Sequence, residues 1–237
     1  MNLTEKQLGG WSLLIGTAAV ALGYALSPGR GAVDTVPTTN LTDLTLAMAR
    51  NAALAYTAPI VIIIGALLML NGILTLRRYA APVPRLGLLG MALALVLQMV
   101  MRGFDYIIVG LGTGALEGDA ARSEELLQSA LDMQRMVFGL HFTSGVAGSI
   151  GTGIMAAGLA SRSEPVRLPP ALHWVVAALA AASLVVFIAA WHSNRLELAL
   201  APVFGAMSVG GFVYMLLLGW GLASSKDGHG SKAEAAA

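Results

Sequence analysis

Long apolar segments separated by short polar breaks form the hydropathy pattern of this chain. A helix needs about 20 mostly apolar residues to span the hydrocarbon layer of a bilayer. Six segments meet this requirement, at residues 9–27, 53–76, 86–113, 130–160, 171–191 and 198–222. The pattern therefore predicts an all-α, polytopic membrane protein with a single six-helix bundle over residues 1–225. Residues 226–237 are rich in Gly, Lys and Ala, and we expect them to form a disordered cytoplasmic tail.

The lysines and arginines in the breaks predict the orientation, because short cytoplasmic loops are enriched in these residues. If the N-terminus is inside, eight of them lie inside: Lys6, Arg77, Arg78, Arg85, Arg162, Arg167, Lys226 and Lys232. Four then lie outside: Arg30, Arg50, Arg122 and Arg195. The sequence thus predicts that both termini are cytoplasmic (N-in/C-in) and that the protein is a multi-pass protein of the plasma (inner) membrane.

The composition agrees with a bilayer as the main partner. Hydrophobic residues make up 57% of the chain and charged residues 11%, whereas a soluble domain carries about 25% charged residues. The net charge of +1 gives no reason to expect a nucleic-acid partner. The chain has no cysteine, which excludes disulfides and thiolate metal sites. Histidines and carboxylates lack the spacing of zinc ligands, so no metal site is predicted.

Polar side chains that could carry chemistry are concentrated in the third and fourth segments. These candidates are Gln98, Arg102, Asp105, Tyr106, Arg135 and His141. The spacing of Gln98, Arg102 and Asp105 places them close to one helix face. At a rise of about 1.5 Å per residue, Asp105 lies about 12 Å and Arg102 about 16 Å from the outer end of the third segment. Charged residues at such depth need an interior partner or a water-filled cavity, so we expect a polar cluster in the outer half of the bundle.

Two interpretations of this predicted cluster remain open. In the first, Asp105 pairs with Arg102 and Arg135 and only joins two helices. In the second, the cluster forms an outward-opening pocket whose net positive charge suits a small polar or anionic ligand or a proton, as in a transporter or sensor. The sequence contains no convincing nucleophile–base arrangement, so it does not indicate an enzyme.

Small residues on the fourth segment predict a helix-packing seam. Gly145, Ser149 and Gly153 follow His141 at intervals of four residues, and small residues at that spacing let another helix approach closely. Such a seam favours an alternative function, a structural or accessory subunit bound to a membrane-protein partner or to a second copy. A third function, a haem b electron carrier, needs a second histidine level with His141. His173 and His192 lie at the two ends of the fifth segment, so no cofactor is predicted.

Two further features concern the backbone. Residues 41–50 have helical spacing and form either a helix along the membrane surface or a solvated loop. Pro59 and Pro202 interrupt the second and sixth segments, and we expect each to kink its helix level with the polar cluster.

Three short motifs resemble an uncharacterised bacterial family of six-helix membrane proteins, domain of unknown function 4386. They are Arg102-Gly103-Phe104-Asp105, Phe138-Gly139-Leu140-His141 and Arg167-Leu168-Pro169-Pro170. The chain departs from the expected pattern at Asp105, where that family carries a glutamate. The resemblance implies the same six-helix architecture and the same pair of Arg102 with an acid. It implies no activity, because none is assigned to that family.

Overall fold

A computed structural model describes residues 3–37, 40–161, 166, 168–192 and 194–224, without the side chains of 194–202 and 204. The predicted tail at 226–237 lies outside this description, and of Pro202 only the backbone is described, as helix. The described residues form α1 (Glu5–Leu26), α2 (Leu41–Arg50), α3 (Ala52–Tyr79), α4 (Pro82–Glu117), α5 (Ala120–Ser161), α6 (Pro170–Trp191) and α7 (Asn194–Ala223).

All of these helices except α2 are long and apolar enough to cross a membrane, which gives six candidate spans in the described part of the chain. The predicted fold class is therefore confirmed: the protein is an all-α, multi-pass membrane protein. Its orientation stays a prediction. The end of the bundle at which α1 ends, α2 lies and α3 begins is called the α2 end below, and the N-in/C-in prediction makes it the outer end.

Glycines spaced seven residues apart on each helix bring α1 and α3 into backbone contact. A Cβ built on Gly16 would lie 2.5 Å from the carbonyl oxygen of Gly65, and one built on Gly72 would lie 2.8 Å from the carbonyl oxygen of Gly9. A side chain at these positions would push the two antiparallel helices apart. Asn71 adds a hydrogen bond of 3.0 Å to the Ser12 hydroxyl across the same contact.

A second glycine contact joins α4 to α5. A Cβ on Gly87 would lie 2.3 Å from the backbone nitrogen of Met155, and one on Gly151 would lie 2.6 Å from that of Met91. The predicted seam of Gly145, Ser149 and Gly153 lies on a different face of α5. That face is turned towards α6. Because α5 carries small residues on two faces, their spacing in the sequence does not show which face makes the closer helix contact.

The α4–α5 hairpin is longer than the sequence predicts. Its helices contain 36 and 42 residues and continue to Glu117 and from Ala120, whereas hydropathy ended the third span at 113 and began the fourth at 130. Tyr24, in the last turn of α1, contacts Arg102 of α4. Glu117 lies fifteen residues after Arg102, so α4 continues about 22 Å beyond the level at which Arg102 contacts Tyr24. Arg102 and Asp105 are thus level with the end of α1, nearer the membrane boundary than the sequence arithmetic suggested.

Residues 41–50 form a helix and not a solvated loop, the other structure that the sequence left open. The apolar face of this helix packs on the bundle. Leu44, Ala47 and Met48 of α2 are buried in a cluster that includes Met101 and Ile108 of α4. The α2 helix therefore covers the region beside Asp105.

The two halves of α7 differ in their packing. In the second half Tyr214, Leu218 and Leu222 are buried, and a Cβ on Gly10 of α1 would lie 2.8 Å from the Gly219 carbonyl oxygen. In the first half nearly every described side chain from 203 to 213 is exposed. A Cβ on Gly205 would meet no atom of the described structure within 4 Å. The first half of α7 thus stands apart from the bundle.

Candidate functional site

Asp105 is the centre of a buried ion-pair cluster at the α2 end. Its carboxylate oxygens lie 2.8 Å from Nη1 of Arg102 and 3.3 Å from Nη1 of Arg30. Asp105 is 1% exposed and Arg102 3% exposed. Two guanidinium groups thus share one carboxylate away from solvent, and the local net charge is positive.

Arg30 reaches Asp105 because the chain folds back directly after α1. Gly29 adopts φ +77°, a left-handed conformation that favours glycine. A Cβ on Gly31 would lie 2.3 Å from the carbonyl oxygens of Tyr24 and Ala25. The two glycines that flank Arg30 therefore turn its side chain into the bundle. Burial lowers the pKa of the Arg30 guanidinium, and the adjacent Asp105 carboxylate acts in the opposite direction; arginine keeps its proton in proteins.

Hydrogen bonds extend the ion pairs in two directions. On one side, Arg30 donates to Gln134 of α5 at 3.1 Å. On the other side, the Arg102 guanidinium lies 5.3 Å from the centre of the Tyr24 ring, and the Tyr24 hydroxyl donates to Gln98 at 2.5 Å. Gln98 in turn donates to the Ser144 hydroxyl at 3.2 Å. The polar cluster, as the term is used below, consists of Tyr24, Arg30, Gln98, Arg102, Asp105, Gln134 and Ser144.

Three of the predicted site residues lie outside this cluster. The side chain of Arg135 is 61% exposed and pairs with Asp132 at 2.5 Å, so the expected Asp105–Arg135 pair is not formed. Successive residues of a helix are rotated by about 100°, so Gln134, not Arg135, faces the cluster, where it accepts a hydrogen bond from Arg30. Tyr106 packs against Tyr56 at 5.3 Å between ring centroids. His141 is exposed and lies 6.0 Å from the Phe187 ring.

Gln98, Arg102 and Asp105 are brought together as predicted, but the sequence reasoning missed the other members of the cluster. In the sequence, Tyr24, Gln134 and Ser144 are only polar residues in or near a span, so nothing marks them as members of the cluster. Arg30 could have been identified, because Gly29 and Gly31 flank it in a turn and indicate a close approach of the backbone.

The cavity beside the polar cluster is small. It has a volume of about 10 Å³ and is lined by Arg30, Arg102 and Asp105 together with residues of α2 and α3. Such a volume corresponds to one water molecule. The ion pairs and hydrogen bonds of the cluster join α1 and its following loop to α4 and α5, whereas the first interpretation paired Asp105 with Arg102 and Arg135. The ligand-binding interpretation stays a prediction.

A larger cavity lies between α5, α6 and α7, and its size could not be inferred from the sequence. Its volume is about 270 Å³. Hydroxyl groups of Ser149, Thr152 and Ser183 and the backbones of Gly210 and Gly211 contribute to its lining, which is otherwise apolar. Ser149 of the predicted seam therefore faces this cavity.

Aromatic and polar pairs lie at the two ends of this cavity. Towards the α2 end, Phe187 packs against Phe142 and Trp191 at 5.8 and 5.7 Å between ring centroids. At the opposite end, Nδ1 of His173 lies 2.7 Å from the Tyr214 hydroxyl, and both residues are buried. His173 and Tyr214 are each about one helical turn from lining residues of the cavity.

Candidate metal ligands are scattered in the described part of the chain. No group of three or more His, Asp or Glu side chains that could hold a metal ion comes together there. Nδ1 of His173 is within hydrogen-bond distance of the Tyr214 hydroxyl, and the prediction that the protein carries no cofactor stays a prediction.

The six spans define an integral membrane protein. No protein-family model, no curated protein and no solved structure matches this chain. The resemblance to the six-helix family stays a prediction.

Proposed function

We propose that this membrane protein binds a small, lipid-soluble ligand in the cavity between α5, α6 and α7. The cavity of about 270 Å³ is the observation that carries this proposal. Its volume is near the lower end of the range for small-molecule sites, about 300–1,000 Å³. The polar cluster has room for about one water molecule, so the ligand site proposed from the geometry differs from the one proposed from the sequence.

The lining of the cavity supports a mostly apolar ligand with one or two hydrogen-bonding groups. Ser149, Thr152 and Ser183 supply hydroxyl groups, and an apolar wall surrounds them. Pockets of this kind use a few polar groups to orient a ligand that is held by apolar contacts. A long-chain alcohol has the required chemistry.

The height of the cavity supports entry from the bilayer. Val176 and Ser183, which line it, lie about 9 and 20 Å from the start of α6, near the middle of a hydrocarbon layer about 30 Å thick. The cavity is not sealed, and the exposed first half of α7 forms one of its sides. An opening at this height faces hydrocarbon.

Thermal unfolding of the delipidated protein in mild detergent tests the proposal, with decan-1-ol, decane and glycerol as probes. Because only decan-1-ol combines an alkyl chain with a hydroxyl, it should raise the midpoint temperature most, and glycerol should leave it unchanged. Gly211→Leu fills the cavity and should abolish the effect of decan-1-ol. Gly205→Leu is the matched control, since Gly205 lies on the same helix but does not line the cavity. Equal responses of the two variants, or no response of the wild type, would contradict the proposal.

A second candidate function is that of a structural subunit that associates with another copy through the first half of α7. Gly205, Ala206 and Ser208 are exposed there, and small residues let two membrane helices approach closely. Ser208→Cys in this cysteine-free chain should then form a disulfide-linked dimer when membranes are oxidised with copper phenanthroline, and adding Gly205→Leu should prevent it. Leu74→Cys, on the exposed face of α3, is the control and should stay monomeric. If the two cysteine variants cross-link to the same extent, the contact through α7 is rejected.

A further inference from the structure

The small cavity beside Asp105 is lined by a side chain with an unpaired donor and by a residue whose backbone carbonyl lacks its usual helical donor. Arg102, Asp105, Ala55 and Pro59 line it, and its volume is about 10 Å³. This volume matches a single water molecule, which is retained inside a protein when it has two to four polar partners.

The donor is the Nε–H of Arg102. The side chain is buried, its Nη1 is engaged by Asp105, and the guanidinium lies over Tyr24. Its Nε has no hydrogen-bond partner among the described residues. A buried N–H group without a partner is costly, because it loses its hydrogen bond to water.

The acceptor is the backbone carbonyl of Ala55. In a regular helix the N–H of residue 59 would donate to this carbonyl, but Pro59 has no N–H. Pro59 therefore leaves the Ala55 carbonyl without its regular helical donor, and both residues line the cavity. In membrane helices, ordered waters commonly satisfy carbonyl groups that a proline has freed.

We propose that this cavity is a binding site for one water molecule that accepts from Arg102 Nε–H and donates to the Ala55 carbonyl and to the Asp105 carboxylate. Among the described residues, the direct hydrogen bonds and ion pairs of the polar cluster reach α1, its following loop, α2, α4 and α5, but not α3. The water connects α3 to the cluster. Pro59 makes this connection possible, because its missing N–H leaves the Ala55 carbonyl available to the water.

A monatomic anion is the alternative occupant, since two arginines surround the cavity. Asp105 lines the same cavity and repels an anion, and chloride is larger than water. The chemistry therefore favours water.

A crystal structure of the full-length protein at a resolution that shows waters, with bromide replacing chloride, provides the first test. We expect one peak within hydrogen-bond distance of Arg102 Nε and the Ala55 carbonyl oxygen, without anomalous signal. No peak there overturns the site, and an anomalous peak shows that it binds an anion.

Arginine-labelled protein in lipid nanodiscs provides the second test by nuclear magnetic resonance. A cross-peak between water and Arg102 Nε–H is expected in the wild type. Pro59→Ala supplies the missing N–H to Ala55 and should cause loss of this cross-peak. Thr57→Ala, two residues away on the exposed face of α3, should retain it. A cross-peak that persists in folded Pro59→Ala overturns the role of the Ala55 carbonyl. If Pro59→Ala fails to fold, the crystallographic test decides.

Discussion

Asp105 shares its carboxylate between Arg30 and Arg102, and all three side chains are largely or completely buried. Desolvating three charges is expensive, and the pairs offset that cost only while every partner is present. Removal of the single anion is therefore the most damaging charge change in this cluster.

Asp105→Asn should lower the free energy of unfolding by about 3–5 kcal/mol, because it leaves two buried guanidinium groups without a counter-charge. Denaturant titration in mixed micelles measures the difference. Asp132→Asn is the control: the Arg135–Asp132 pair is exposed, so its loss should change stability by less than about 1 kcal/mol. Similar losses in both variants would show that Asp105 is not held in a buried pair.

Gly31→Ala should destabilise the protein by about 1–3 kcal/mol, the usual cost of overpacking, because the new Cβ meets two carbonyl oxygens at 2.3 Å. Gly103→Ala has no atom of the described structure near its Cβ and should stabilise α4 by about 0.5–1 kcal/mol. The same titration compares them. A neutral Gly31→Ala would mean that Arg30 does not depend on this turn.

At the scale of elements, the hairpin of α4 and α5 depends on one of two small-residue faces. Gly87 and Gly151 bring the two backbones into contact, whereas Gly145 and Gly153 face α6 at side-chain distance. Both faces have the spacing that close packing requires. The rotation of α5 decides which one meets α4.

Gly151→Leu should therefore cost about 3 kcal/mol, near the upper end of overpacking effects, and should reduce accumulation in membranes. Gly139→Leu provides the comparison, since a Cβ there meets no atom within 4 Å in the described structure; like Gly103→Ala, it should stabilise its helix by about 0.5–1 kcal/mol. Quantitative blotting and unfolding titration measure both effects. Equal accumulation of the two variants would be evidence against the α4–α5 contact.

At the scale of the whole molecule, the α4–α5 hairpin extends well beyond the end of α1, and the N-in/C-in prediction places it outside the cell. Arg122→Cys in this cysteine-free chain should then react with a membrane-impermeant maleimide in intact cells. Leu3→Cys, exposed near the N-terminus, should react only after the membrane is disrupted. The reverse pattern of labelling would invert the orientation.

The number of spans and the fold class could be predicted from the sequence, because hydropathy sums over neighbouring residues and the bilayer fixes the length required. The Arg102–Asp105 pair was predictable for the same local reason, a spacing of three residues on one helix. The residues at which α4 ends and α5 begins were not predictable from hydropathy, since a helix continues past the apolar layer wherever its backbone hydrogen bonds continue.

The tertiary structure alone decided which side chains pair with Asp105. It selected Arg30 over Arg135, because a turn after α1 folds one arginine inward while the rotation of α5 leaves the other in solvent. It also separated the first half of α7 from the bundle and so created the cavity between α5, α6 and α7. Both outcomes depend on how helices are rotated and spaced against one another, which the local pattern of apolar and polar residues does not determine.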